Sequence, residues 1–387
     1  MLLSITLSQL TTYYDVKESY FVIFIIYSNN YMRFVIVDSN LKAGDNGEYF
    51  YEYMMKNHPD VHLTFVISKN VDDYKRLKEK GFNVMNSYDL SLLNTMRKAD
   101  FIFFSKFQNP ASKIAKHFKN KCVFLNHGVS NKINNVGFYF GKTINDNFKY
   151  VCCTSKQEKD VLMNDFNMKS PETIITGFAR WDSLIRKNNA RKKNDKPHIL
   201  ITFHWRHGDL NNFTSKFTKS EYLTNINKLL NSDELHELSK KCHITFMHHA
   251  MFYKYKDLFK VPKYIEYGTN LQFQDLLVEA DAIVTDFSSN AYEMAVIGKP
   301  CFYYIPDVKY VQENMKQYNI ENFEKYSIGK LCNTQKELLD TLDLFADGKY
   351  EMSELNRRNI NSTFDFIDDR NCERIYEFVK SIYNKPK

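Results

Sequence analysis

Glycine and proline are scarce in this chain, with 12 and 8 among 387 residues. Such a composition excludes a collagen-like or low-complexity chain. The seven cysteines are odd in number, and no two stand in a C-x-x-C spacing. That argues against a disulfide framework and for free thiols in a reducing cytoplasm. Cys152-Cys153 sits inside an apolar run and reads as core. No stretch reaches the roughly 18–20 apolar residues of a spanning helix. The run Tyr20–Tyr27 is too short, and Asp15 and Glu18 ahead of it, with no basic segment, argue against a signal peptide. Residues 1–31 read as an appendage, an extra strand, or a start placed upstream of Met32. G-x-G-x-x-G is absent, which argues against a standard dinucleotide site, and no D-x-D advertises a metal-bridged nucleotide diphosphate.

What is present is ample apolar material and a modest net charge of +7. The excess is spread along the chain, without the dense aromatic-laced patch a nucleic-acid binder needs. An anionic membrane surface or an anionic substrate fits it equally well. The length favours two domains.

Strand-like and helix-like segments alternate. Strands are expected at Phe34–Val37, His62–Ile67, Phe101–Phe104, Cys122–Leu125, Tyr150–Thr154 and Thr173–Thr176. Helical stretches stand between several of them, at Gly47–Lys56, Val71–Lys80, Ala111–Phe118 and Lys156–Phe166. The polar stretch Asn188–Pro197 reads as a linker. Alternation then restarts, with strands at Ile199–Phe203, His243–Met247, Ala282–Thr285 and Cys301–Ile305, and helical segments over 335–347 and 351–384. This implies parallel sheets in two αβα domains, residues 32–188 and 197–347, closed by helices in 348–387.

Ligands of open parallel sheets bind where the strands end. The polar residues there are Asn126-His127-Gly128, Gly177-Phe178-Ala179-Arg180, His204-Trp205-Arg206-His207, His248-His249 and Asp286-Phe287-Ser288-Ser289. Asn290 and Glu293 have capping-box spacing, so the two serines open a helix. Its N-terminus offers a phosphate site, or the hydroxyls only cap it. His127 suits a general base, since an unperturbed histidine titrates near about 6.5, or is a hydrogen-bonded loop residue. Arg180 and Arg206 suit phosphate oxygens, although an isolated arginine is usually a surface residue. Neither histidine pair has the partners of a zinc site, so no metal and no cofactor are expected. Gly137–Thr143 is a near miss to a phosphate-binding loop, with too few residues between its glycines and aromatics where the loop must wrap.

Taken in order, LNHGV (125–129), ITGFARWDSL (175–184), ILITFHWR (199–206), ITFMHHAMF (244–252) and IVTDFSSNAYEMAVIGKPCFYY (283–304) resemble the CDP-glycerol glycerophosphotransferase family. The stretch FVIVDSNLKAGDNGEYFYEYM (34–54) is similar to the capsule-type members. The resemblance implies a GT-B-like α/β fold, two Rossmann-like domains facing each other across a cleft. It implies transfer of glycerol phosphate, or a related alditol phosphate, from a CDP-alditol to a teichoic-acid-like or capsule polymer, with release of CMP. It also implies a polymer or lipid-linked acceptor and work at the cytoplasmic face of the membrane.

By the same resemblance, His127 matches the first H-G histidine, a base, and His249 the second motif's histidine near the donor phosphates. Thr285, Asp286, Ser288 and Ser289 match the T-D-Y-S-S donor motif, with Phe287 for its tyrosine. Arg180 matches G-x-P-R with Ala179 for the proline, Arg206 matches T-W-R with His204 for the threonine, and Gly128 completes H-G. His249, Arg206 and the serines are expected to stabilise charge on the departing CMP. His248 falls where the family carries no histidine and reads as incidental. The G-x-G-P segment usual after the counterpart of Asp307 is missing, and only Gly329 is left in NFEKYSIGKLCNT. Two rival readings stay open: a GT-B glycosyltransferase using a CMP- or UDP-sugar, and a membrane-associated assembly module without catalysis.

Overall fold

The computed structural model describes residues 31–106, 110–133, 136–165, 167–169, 172–206, 214–268 and 273–384. The run Tyr20–Tyr27, the rest of residues 1–30 and His207 lie outside them.

Two parallel sheets form the frame. The first holds β1 (Arg33–Val37), β2 (His62–Ile67), β3 (Val84–Asn86), β4 (Phe101–Phe104), β5 (Cys122–Phe124), β6 (Tyr150–Cys153) and β7 (Thr173–Ile175). Their order is β3-β2-β1-β4-β5-β6-β7. The second holds β8 (His198–Ile201), β9 (His243–Phe246), β10 (Glu266–Tyr267), β11 (Ala282–Thr285), β12 (Cys301–Tyr304) and β13 (Lys330–Cys332), in the order β10-β9-β8-β11-β12-β13. Central strands are apolar runs such as FIFF (101–104), buried at every position because helices cover both faces. In each sheet the strand order reverses beside the first strand, between β1 and β4 and between β8 and β11. Loops diverge at these two points and leave a crevice for ligands.

Helix α1 (Asn46–Asn57) follows β1 and starts at Asp45, whose side chain accepts from the Asn46 amide. Helix α2 (Ala179–Ala190) packs on both halves. It touches α1 on one side, and α3 (Phe273–Glu279) and α4 (Asn290–Val296) on the other. Helix α5 (Glu354–Thr363) returns to the helix Lys156–Asp165, and α6 (Asn371–Tyr383) packs on α1 and α2. Asp182 of α2 anchors that return by accepting from the amides of Asn371 and Cys372, each at 2.9 Å. Gly177 must be glycine. Its φ is +74°, and an added Cβ would lie 1.9 Å from Asn371 Oδ1.

Several local expectations are corrected. Asn188–Pro197 is not all linker, because α2 runs through Ala190 and its end is held by Asn188 donating to the Ile297 carbonyl at 3.4 Å. The 351–384 segment is two helices, broken between Phe364 and Arg370. Gly137–Thr143 lies in the helix Val136–Asn147. The short strands β3, β10 and β13 carry too few residues for a clear alternation. The segment around Gly329 becomes β13 and its approach, tied to α5 by Asn356 donating to the Ser327 and Gly329 carbonyls at 3.0 Å. Among the described residues, no helix is long and apolar enough to cross a membrane.

Candidate active site

The first sheet delivers His127 by a strained turn. Asn126, just after β5, has φ +65°, a region asparagine tolerates better than most residues. Its side-chain oxygen accepts from the His127 amide at 2.8 Å, and its own amide group reaches the Cys152 carbonyl at 3.4 Å. The imidazole thereby projects from the strand edge, with its side chain 54% exposed. Its Nδ1 faces inward and contacts Asp45 Oδ2. Asp45 Oδ1 accepts from Arg180 Nη1 at 3.1 Å, and Lys106 Nζ lies 3.7 Å from Oδ2. Burial alone would raise the Asp45 carboxyl, but His127, Arg180 and Lys106 outweigh it and hold it well below the usual carboxylate range. Asp38 at the end of β1 goes the other way. Burial, with Asp45 nearby, pushes it up to about 7 despite its bonds to Ser105 and to the Asp45 and Gly47 amides.

Arg180 is the joint between the halves. It donates through Nε to Glu293 Oε1 of α4 at 2.7 Å and through Nη2 to the His127 carbonyl at 2.9 Å. Gly128 closes the same seam: a Cβ there would lie 3.2 Å from Ser289 Cβ. Asn131 donates to the Tyr292 hydroxyl, and the Asn319 amide donates to the Ile133 carbonyl at 2.8 Å. The H-G loop of one sheet therefore rests on the serine turn of the other.

The second sheet brings His249, Ser288 and Ser289 to strand ends. His249 caps the turn that follows β9, its Nδ1 accepting from the Met251 amide at 3.2 Å. That bond makes Nε2 the protonated nitrogen of the neutral ring, and so a donor. The His204 ring lies 5.5 Å from that of His249. His248 turns inward instead. It is buried, meets the Tyr267 hydroxyl at 2.9 Å and stacks on Phe259, and burial holds its pKa below the ordinary value.

The structure departs from four expectations. Arg206, expected on phosphate oxygens, is fully buried in this structure, and its donors go to Asp307, Asp286 and the His204 carbonyl. Asp286 is equally sealed, accepting from Arg206 Nη1 at 2.8 Å and the His204 amide at 2.9 Å. The two residues follow adjacent strands, β8 and β11, and the Tyr222 and Phe287 rings pack on the Arg206 guanidinium. Thr285 is also fully buried, and its hydroxyl finds no partner among the described residues. The capping box is not formed either. Ser289 is the N-cap residue of a seven-residue helix and makes no side-chain cap, while Glu293 turns to Arg180. Ser288 Oγ accepts from the Asn290 amide at 3.4 Å. Arg180 is present at the seam but buried, so it binds carboxylates rather than open space.

Asp45 and Glu293 were missed as site residues. The only trace of Asp45 in the sequence is a helix-start aspartate in KAGDNGEY. Among the described residues, no group of three or more His, Cys, Asp and Glu side chains is arranged to hold a metal.

Comparisons place this arrangement. The chain matches the CDP-glycerol:poly(glycerophosphate) glycerophosphotransferase family over residues 20–381. It is 24% identical to the minor teichoic acid biosynthesis protein GgaB of Bacillus subtilis, over 90% of this chain and 40% of GgaB. It is 22% identical to a teichoic acid poly(glycerol phosphate) polymerase of Bacillus spizizenii, over 56% of this chain and 54% of that one. The chain thus spans about half the length of such relatives or less. In fold it is similar to the wall teichoic acid polymerase TagF, with a TM-score of 0.64 at 14% identity over 98% of each chain. UDP-GlcNAc 2-epimerase from Neisseria meningitidis, covering 90% of this chain and 100% of its own at 14% identity, has a TM-score of 0.55. The two facing parallel sheets are the fold these proteins share, and with the match along nearly the whole sequence, the chain belongs to the CDP-glycerol:poly(glycerophosphate) glycerophosphotransferase family.

Proposed function

We propose that this chain transfers glycerol phosphate, or a related alditol phosphate, from a CDP-alditol to the hydroxyl end of a teichoic-acid-like or capsule polymer. The observation that carries this reading is the seam itself. A half-exposed histidine with a buried carboxylate behind it meets the serine turn of the other half.

The chemistry follows from these parts. The acceptor oxygen attacks the β-phosphorus, the bond from that phosphorus to the bridging oxygen breaks, and CMP departs with the electron pair. An alcohol is a poor nucleophile, so His127 takes its proton as the new bond forms. Charge grows on the departing phosphate. His249 Nε2–H and the hydroxyls of Ser288 and Ser289 are donors suited to it, where fixed dipoles act most strongly. Arg206, Asp286 and Arg180 hold the loops rather than the substrate. The acceptor is assigned to the first sheet (residues 32–188) and the donor to the second (197–347). Peripheral contact with the cytoplasmic membrane face belongs to the same reading, supported by the mild basic excess.

The test is incubation with CDP-glycerol, CDP-ribitol, a CMP-sugar and a UDP-sugar, each with a polymer acceptor, scored for nucleotide release. CMP release from a CDP-alditol alone is expected. Turnover of only a nucleotide sugar would replace this reading with a glycosyltransferase, and turnover of none would point to an assembly module. Co-sedimentation with anionic vesicles checks the membrane contact.

A further inference from the structure

We propose that Asp45 is a positioning residue that fixes the tautomer and direction of the His127 ring. The inference rests on the reading of His127 as the base. Asp45 lies in the stretch 34–54 that is similar to the capsule-type members, but none of the residue roles carried over from the family falls on it.

The geometry is specific. Asp45 is buried and held from several directions. Its amide donates to Asp38 Oδ2 at 3.1 Å. Its Oδ1 accepts from the Asn46 amide at 2.9 Å and from Arg180 Nη1 at 3.1 Å. Oδ2 meets His127 Nδ1, with Lys106 Nζ 3.7 Å away. A carboxylate can only accept, so the neutral ring must carry its proton on Nδ1. The lone pair is then on Nε2, the nitrogen directed away from Asp45. A base needs that lone pair toward the acceptor hydroxyl, and the opposite tautomer would present a proton instead. Arg180 makes this arrangement depend on both halves of the molecule. It grips Asp45 and the His127 carbonyl on one side and Glu293 of α4 on the other.

The competing explanation is that Asp45 merely caps α1. Two substitutions separate the two. Asp45→Ser keeps a good cap residue and removes the carboxylate. Asp45→Asn keeps the shape but offers an amide that can donate to Nδ1, which selects the wrong tautomer.

The wild-type chain and both variants are compared by thermal melting, steady-state kinetics with CDP-glycerol, and NMR of the histidine ring nitrogens, with His127→Ala used to assign the signal. Positioning predicts that both variants melt as folded proteins and keep donor KM within about threefold, while kcat falls about 10²-fold or more. It also predicts an Nδ1–H ring for His127 in the wild type and an Nε2–H ring in Asp45→Asn. An Asp45→Ser kcat within about threefold of wild type would reduce Asp45 to a cap. An unchanged His127 tautomer in Asp45→Asn would overturn the proposal directly. The NMR result stands without turnover, so a wild type inactive on every CDP-alditol would count against the proposed function and leave this inference to be decided by the ring signal.

Discussion

Two buried arginines that follow strands each sit between two carboxylates, and they do different work. Arg180 lies between Asp45 and Glu293, and Arg206 between Asp286 and Asp307. The first cluster bridges the two sheets and ends in a histidine side chain that is 54% exposed. The second lies within one sheet, and Arg206 has no exposed side-chain surface at all. Residue type and strand-end position are the same in both. What separates them is whether anything in the cluster still faces the seam. A sealed ion pair can hold loops in register but has no free donor for a ligand.

Substitutions at each cluster sharpen the contrast, and the largest effect is expected at the open end. His127→Ala should lower kcat about 10²–10⁴-fold, in steady-state assays of CMP release, while urea unfolding stays near wild type. In the sealed cluster the loss should appear first as stability. Arg206→Met strips the cation from two buried carboxylates and should cost about 3–5 kcal/mol in urea unfolding. A stable, inactive Arg206→Met protein would break the comparison, because Arg206 would then have to touch substrate.

A smaller step separates the adjacent histidines. His249→Ala removes an Nε2 donor and should lower kcat about 10²–10³-fold. His248→Ala removes a buried ring bonded to Tyr267, and should cost stability on the order of 1 kcal/mol while leaving kcat within a few-fold of wild type. Equal losses of kcat would show that both rings reach the donor. The smallest effect concerns pH. The Asp45 carboxyl is held below its unfolded value, so its contribution is complete above about pH 4 and is lost as pH falls. The stability curves of wild type and Asp45→Asn should therefore converge below pH 4, as followed by denaturant unfolding at stepped pH. Curves that stay parallel there would mean that Asp45 gains nothing from its cationic partners.

Much of the candidate site was legible one strand at a time. His127, Gly128, Ser288, Ser289 and His249 each follow an apolar run, which is where an open parallel sheet leaves room for ligands. The same rule also picked out Arg206, Asp286 and Thr285. It could not tell that these would be buried, because position after a strand says nothing about what the next strand end covers. Asp45 and Glu293 were illegible for the opposite reason. Each looks like an ordinary first-turn acid, and its partner lies in a distant segment.

The sequence by itself determined the alternation of apolar strands and helices, and hence two parallel sheets. It also determined which residues stand at their ends. Both are local consequences of hydrophobic period and turn chemistry. Tertiary structure alone decided that α2 would carry Arg180 into the seam and that Asp286, Asp307, Tyr222 and Phe287 would enclose Arg206. It also set His127 against Asp45 and turned His248 inward while leaving His249 at the edge. Those outcomes depend on strand order and on which surfaces meet, and a charged side chain acquires its role only once its neighbours have been brought beside it.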